Sequence, residues 1–68
     1  MHIVKLREDY IKLGQALKVA GLVESGSDAK DIIQEGLVTV NGEVDTRRGK
    51  KLYKGDVFSF DGQEVKIN

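Results

Sequence analysis

Residues 36–44 read Gly36-Leu37-Val38-Thr39-Val40-Asn41-Gly42-Glu43-Val44, and here the chain changes its apolar period from helical to alternating. Leu37 to Val40 is a β-rich run. Asn41-Gly42 behind it is the strongest short-range hairpin signature, because a tight two-residue turn needs positive φ at both positions. Glu43 and Val44 continue on the returning side. Further on, Leu52 and Tyr53 precede a turn at Lys54-Gly55-Asp56. Val57, Phe58 and Phe60 form another strand, and Asp61-Gly62 repeats the tight-turn signature. Val65 and Ile67 then alternate with Glu64, Lys66 and Asn68 on a last strand.

Upstream of Gly36 the pattern is helical. Leu13, Ala16, Leu17 and Ala20 recur at helical spacing, and Gly21 follows where a helix ends in a left-handed residue. This predicts a helix over about Leu13 to Ala20, with Gly14 an unfavourable residue near its start. Leu22 and Val23 lie in a connector leading to Glu24-Ser25-Gly26-Ser27. Ser25 or Ser27 can cap a second helix, Asp28 suits its positive end, and Ala29, Ile32 and Ile33 share its apolar face. Gly36 stops it. Ile3 to Arg7 alternate weakly, which predicts a short strand. The expected fold class is α+β: two short helices packed on a small, mostly antiparallel sheet.

The chain has 68 residues, enough for one domain over residues 1–68, and a chain this short hides only about 60% of its unfolded surface. Apolar residues are 40% and charged ones 32%, the balance of a soluble globular chain rather than a disordered one. Cysteine is absent, which removes disulfides, thiol catalysis and thiolate metal sites and agrees with a reducing, cytoplasmic setting. The single histidine, His2, stands at the terminus, so imidazole catalysis and zinc binding lack material. The carboxylates Glu24, Asp28, Asp31, Glu35 and Glu43 are scattered. No cofactor, small-molecule substrate or catalytic residue is expected, and the chain does not read as an enzyme. No apolar stretch approaches the roughly 20 residues of a membrane span, and no signal segment opens the chain.

Lys+Arg and Asp+Glu are 11 each, so the net charge is zero. The distribution is not even. Residues 35–46 hold three acids and no base, whereas residues 47–54 hold five bases and no acid: Arg47, Arg48, Lys50, Lys51 and Lys54. This segment falls in a loop or irregular strand between hairpins. Arginine grips phosphate with a planar fork and lysine adds a point charge, so the run suits a phosphate-contacting surface; it equally suits a solvated loop that keeps a sheet edge soluble. Lys18, outside the apolar set of the first helix, and Lys30, in the first turn of the second, can join it. A cation at Lys30 opposes the helix dipole. Of the four aromatics, Phe58 and Phe60 share one strand face, where core packing is the expected role and base stacking the alternative. Tyr53, beside the basic run, is the aromatic expected to meet a partner.

Several ordered pieces carry a family resemblance. They are Tyr10-Ile11 with Leu13, Leu17-Lys18, Ser25-Gly26 with Ala29-Lys30, Glu35-Gly36, Val38, Val40-Asn41-Gly42-Glu43, Arg47-Arg48-Gly49-Lys50-Lys51-Leu52 and Gly55-Asp56. Over about Tyr10 to Val57 the chain resembles the RNA-binding domain named after ribosomal protein S-four, the αL motif. The Arg-Arg-Gly-Lys-Lys segment resembles its small stand-alone bacterial members. The resemblance implies a non-catalytic module presenting a basic surface to structured RNA, ribosomal or transfer RNA, with a role in ribosome assembly or translation. It places Lys18, Lys30, Arg47, Arg48, Lys50 and Lys51 facing RNA. The wider family opens its first helix with Arg-Leu-Asp, where this chain has Lys12-Leu13-Gly14, and often carries arginine at the position of Gly26. Both departures are normal for the stand-alone members. If about five cations meet phosphates, log affinity should fall with log salt at a slope of about −3.5. The alternative is a protein-interaction adaptor using the basic loop or an exposed strand edge. A monomer is the default expectation.

Overall fold

The structure, a computed structural model, describes residues 2–68. In chain order it contains β1 (His2–Val4), β2 (Ile11–Lys12), α1 (Leu13–Val19), α2 (Gly26–Gln34), β3 (Val38–Val40), β4 (Glu43–Val44), β5 (Lys51–Leu52), β6 (Val57–Phe60) and β7 (Gln63–Ile67). Five strands form one sheet in the order β1-β7-β6-β3-β4, and β2 pairs with β5 in a separate two-stranded ribbon. The α+β class read from the sequence holds. Every ladder is antiparallel except β1 against β7.

Both hairpins form as their Asn-Gly and Asp-Gly turns dictate. Asn41 and Gly42 have φ of 51° and 86°, and Asp61 and Gly62 have 53° and 77°. Positive φ at both central residues gives the turn whose twist matches the flanking strands. The resulting register stacks Val40 against Phe58 and Phe58 against Val65. That row is the buried centre of the sheet's inner face, and Phe58 is fully buried. Phe60 is half-buried against the same cluster, so both phenylalanines serve the core.

The helices supply the other wall. Leu13, Ala16 and Leu17 of α1 and Ala29 and Ile33 of α2 are fully buried. The half-buried connector residues Leu22 and Val23 pack on the same cluster. Ser25 caps α2, its hydroxyl accepting from the Asp28 N–H at 3.1 Å. Two expectations shift. The first strand lies at residues 2–4 rather than 3–7, because its parallel ladder runs His2↔Val65 to Val4↔Ile67 and β7 ends there. Lys30 is the fifth residue of α2, one turn in, so the dipole argument against a cation in the first turn does not apply to it.

Candidate nucleic-acid interface

The β2/β5 ribbon organises the basic segment. Ile11 opposes Leu52 and Lys12 opposes Lys51. Successive strand side chains face opposite ways. Leu52 is therefore fully buried and Ile11 half-buried, while Tyr10, Lys12, Lys51 and Tyr53 are exposed on the outer face.

The ribbon runs straight into α1, and the basic loop caps that helix. Lys12, the N-cap residue, makes no side-chain capping bond. Instead the Leu13 N–H donates to the Lys50 carbonyl at 2.8 Å and the Gly14 N–H to the Arg48 carbonyl at 3.1 Å. Amides at a helix start have no partner inside the helix, so these carbonyls do the work of a cap. They also tie the loop to the helix. Gly14 is the residue that permits the approach: a Cβ there would stand 2.8 Å from Arg48 Cγ. The glycine that weakens the helix in a propensity scale is what lets Arg48 lie across its first turn.

A shallow groove results, lined by Lys12, Gly14, Gln15 and Lys18 of the β2–α1 segment, Gly26 and Ala29 of α2, and Arg48 and Gly49 of the loop. Three cations thus surround one depression. Lys51, on the ribbon beside it, holds its Nζ 4.8 Å from the centre of the Tyr10 ring.

Arg47 turns elsewhere. Its Nε and Nη2 donate to Asp45 at 3.1 and 2.9 Å, and its own N–H donates to Asp45 Oδ1 at 2.9 Å. The hydrogen bond from the Arg47 guanidinium holds the Asp45 carboxyl below its ordinary pKa, and the nearby Lys50 charge lowers it further. The same bond raises the Arg47 pKa. Arg47 and the half-buried Lys50 line a separate depression with Val40, Asn41, Asp45 and Asp56. Among the described residues this is the ion pair within 4.0 Å; none involves Lys12, Lys18, Lys30, Arg48 or Lys51.

The six residues singled out from the sequence therefore separate. Lys18 and Arg48 meet at the groove, Lys51 sits on the ribbon, and Arg47 and Lys50 face the Asp45 side. Lys30 is exposed on α2. Lys12 and Tyr10 are not among the residues that the sequence singles out as facing RNA. The alternation of Tyr10-Ile11-Lys12-Leu13 and its counterpart in Lys51-Leu52-Tyr53 carried the information.

A second small network steadies Tyr53. Asn41 exchanges bonds with Val57, its N–H donating to the Val57 carbonyl at 2.6 Å and its Oδ1 accepting from the Val57 N–H at 2.9 Å. Its Nδ2 donates to Asp56 Oδ1 at 3.1 Å, and Asp56 Oδ2 accepts from the Tyr53 N–H at 2.7 Å. The Asn-Gly and Gly-Asp motifs are thus one structural unit joining the first hairpin to the end of the ribbon. Among the described residues, no group of three His, Asp or Glu side chains is placed to hold a metal ion, and no helix is long and apolar enough to cross a membrane.

Two helices on a hairpin-built sheet, with a basic loop capping the first helix, define a small α+β module whose polar chemistry lies in one loop and one ribbon. The chain belongs to the S4 domain family, which it matches over residues 4–68. It is 46% identical to a probable ribosome maturation protein, RlbA of Bacillus subtilis, over 87% of this chain and 83% of that one. It is 39% identical to the putative RNA-binding protein YbcJ of Escherichia coli, over 90% and 87%. The solution structure of YbcJ superposes with a TM-score of 0.75 at 38% identity, covering 98% of this chain and 86% of that one; its αL motif is described as involved in RNA binding.

Proposed function

We propose that this chain is a non-catalytic RNA-binding module that grips structured RNA, ribosomal or transfer RNA, with the ribbon face and the adjoining groove. It acts as a monomer in ribosome maturation or translation in the bacterial cytoplasm. The observation that carries this is the register of Lys12 opposite Lys51. Like charges directly opposed on a ladder are destabilising. A phosphate between them converts that repulsion into attraction. Arg48 adds a planar fork and Lys18 a point charge across the groove. The names of the relatives, a ribosome maturation protein and an RNA-binding protein, agree with the reading.

Recognition of this kind uses phosphates and shape, since the deep groove of A-form RNA hides its base edges. Lys12, Lys18, Arg48 and Lys51 are the principal contacts. Lys30 extends the surface along α2. Arg47 contributes less because Asp45 already pairs with it, and Lys50 less because it is half-buried on the Asp45 side, away from the groove. Four phosphate contacts give a log–log salt slope of about −3, slightly shallower than the sequence alone suggests. The test is fluorescence anisotropy with a labelled ribosomal RNA stem-loop across a salt series, for the native chain and for one with all four principal contacts changed to Glu. The slope should be about −3 and the variant should lose binding while melting normally. A slope near zero, or a variant that still binds, contradicts the proposal. Protein partners captured after nuclease digestion would favour an adaptor instead.

A further inference from the structure

We propose that Tyr53 and Tyr10 form a stacking platform for an unpaired nucleobase, so that the domain prefers RNA with an exposed loop or bulge beside a helix. This rests on the RNA-binding reading and specifies which RNA the site takes.

The chain has four aromatic residues, and their placement divides them cleanly. Phe58 is fully buried and Phe60 is half-buried against the core. Tyr53 is 50% exposed and Tyr10 is 38% exposed. The tyrosines meet each other, with ring centroids 6.0 Å apart and planes inclined by 53°. They share the outer ribbon face with Lys12 and Lys51, the cross-strand pair of cations. In a domain this small, large aromatic rings left in water on a cationic surface forgo the burial that would otherwise stabilise the fold. A nucleobase would cover them, while its flanking phosphate met Lys12 and Lys51.

The local structure holds this geometry before RNA arrives. Lys51 over the Tyr10 ring fixes one tyrosine through a cation–π contact. Asp56, accepting from the Tyr53 N–H, fixes the backbone of the other. Lys51 takes one face of Tyr10, so the accessible ring surface belongs mainly to Tyr53. Stacking on an aromatic side chain is tolerant of sequence because every base has a π-face. The groove would hold the phosphates of a stem and the tyrosines would accept the base that leaves it.

The experiment compares two RNAs, a stem-loop with an unpaired loop and a blunt duplex of the same stem, against the native chain, Y53L, Y10L and Y53F. Y53L should lower stem-loop affinity by about tenfold, and Y10L by less, with duplex affinity unchanged. Y53F should retain native affinity. There is no tryptophan and these are the two tyrosines of the chain, so its tyrosine emission reports on this pair alone. That emission should be quenched on titration with stem-loop and not with duplex. If Y53L leaves both affinities intact, or weakens both equally, the stacking platform is wrong while phosphate gripping stands. If the native chain binds neither RNA, the RNA-binding reading fails and the platform with it.

Discussion

Arg47 and Arg48 are adjacent and carry the same side chain, yet the fold gives them opposite tasks. Arg47 closes on Asp45 through both its guanidinium and its own N–H. Arg48 gives its carbonyl to the first turn of α1 and lays its side chain over Gly14, with no carboxylate at hand. The unpaired cation is the one whose carbonyl is built into a helix start; the paired one closes on an acid two residues before it. In a chain of zero net charge, the position of a cation relative to its nearest acid decides what it can attract, not the number of cations in the run.

The strongest way to break this contrast is to detach the ribbon. Leu52 is fully buried and anchors β5 to the core. L52A should destabilise the domain by about 2–5 kcal/mol. That is a large share of what a domain this small holds, and chemical denaturation would measure it. With the ribbon loose, Lys12, Lys51 and Arg48 lose their common frame, and RNA affinity should fall along with stability.

A sharper cut separates the groove from the fold. In G14A the new methyl group meets Arg48 Cγ and the arginine must leave the helix surface. The favourable helix propensity of alanine offsets part of that disturbance, so stability should change by less than about 1 kcal/mol. RNA affinity should nevertheless drop by about threefold to fivefold, less than the full loss of one charge-assisted contact because the displaced arginine keeps its charge near the groove. A variant that loses neither would mean Arg48 needs no help from Gly14.

The smallest effect lies on the other side. D45N releases Arg47, so RNA affinity should rise by about twofold as one more cation becomes available. The same variant should alter acid stability. The pKa of Asp45 is depressed in the folded chain by Arg47. Its stabilising contribution is therefore complete at neutral pH and is lost as the pH falls below about 4 through the folded pKa. D45N should flatten that part of the stability profile, as read from melting temperature against pH.

Much of the fold was written in local patterns. Asn41-Gly42 and Asp61-Gly62 specify their turns through backbone sterics, and Ser25 and Gly36 bound α2 through capping, all of it chemistry within a few residues. The β2/β5 ribbon was not legible in the same way. Each strand is two residues long, and they pair across both helices and the first hairpin. Nothing local says that Ile11 meets Leu52. The interface suffered for the same reason. The basic run was visible, and Lys18, Arg48 and Lys51 lie where it could use them. Lys12 and Tyr10 depended on the unseen pairing. The Arg47–Asp45 bond was two residues long and open to inspection, but counting charges by segment placed Asp45 with the acids upstream and hid its closeness to Arg47.

The central claim is that the ribbon and groove, rather than the basic run as a whole, contact phosphate. The direct test is the salt dependence of stem-loop RNA binding for R47Q and R48Q side by side. R48Q should make the log–log slope shallower by about 0.7, one phosphate contact, while R47Q leaves it unchanged. Equal changes in both variants, or a change in R47Q alone, would contradict the account.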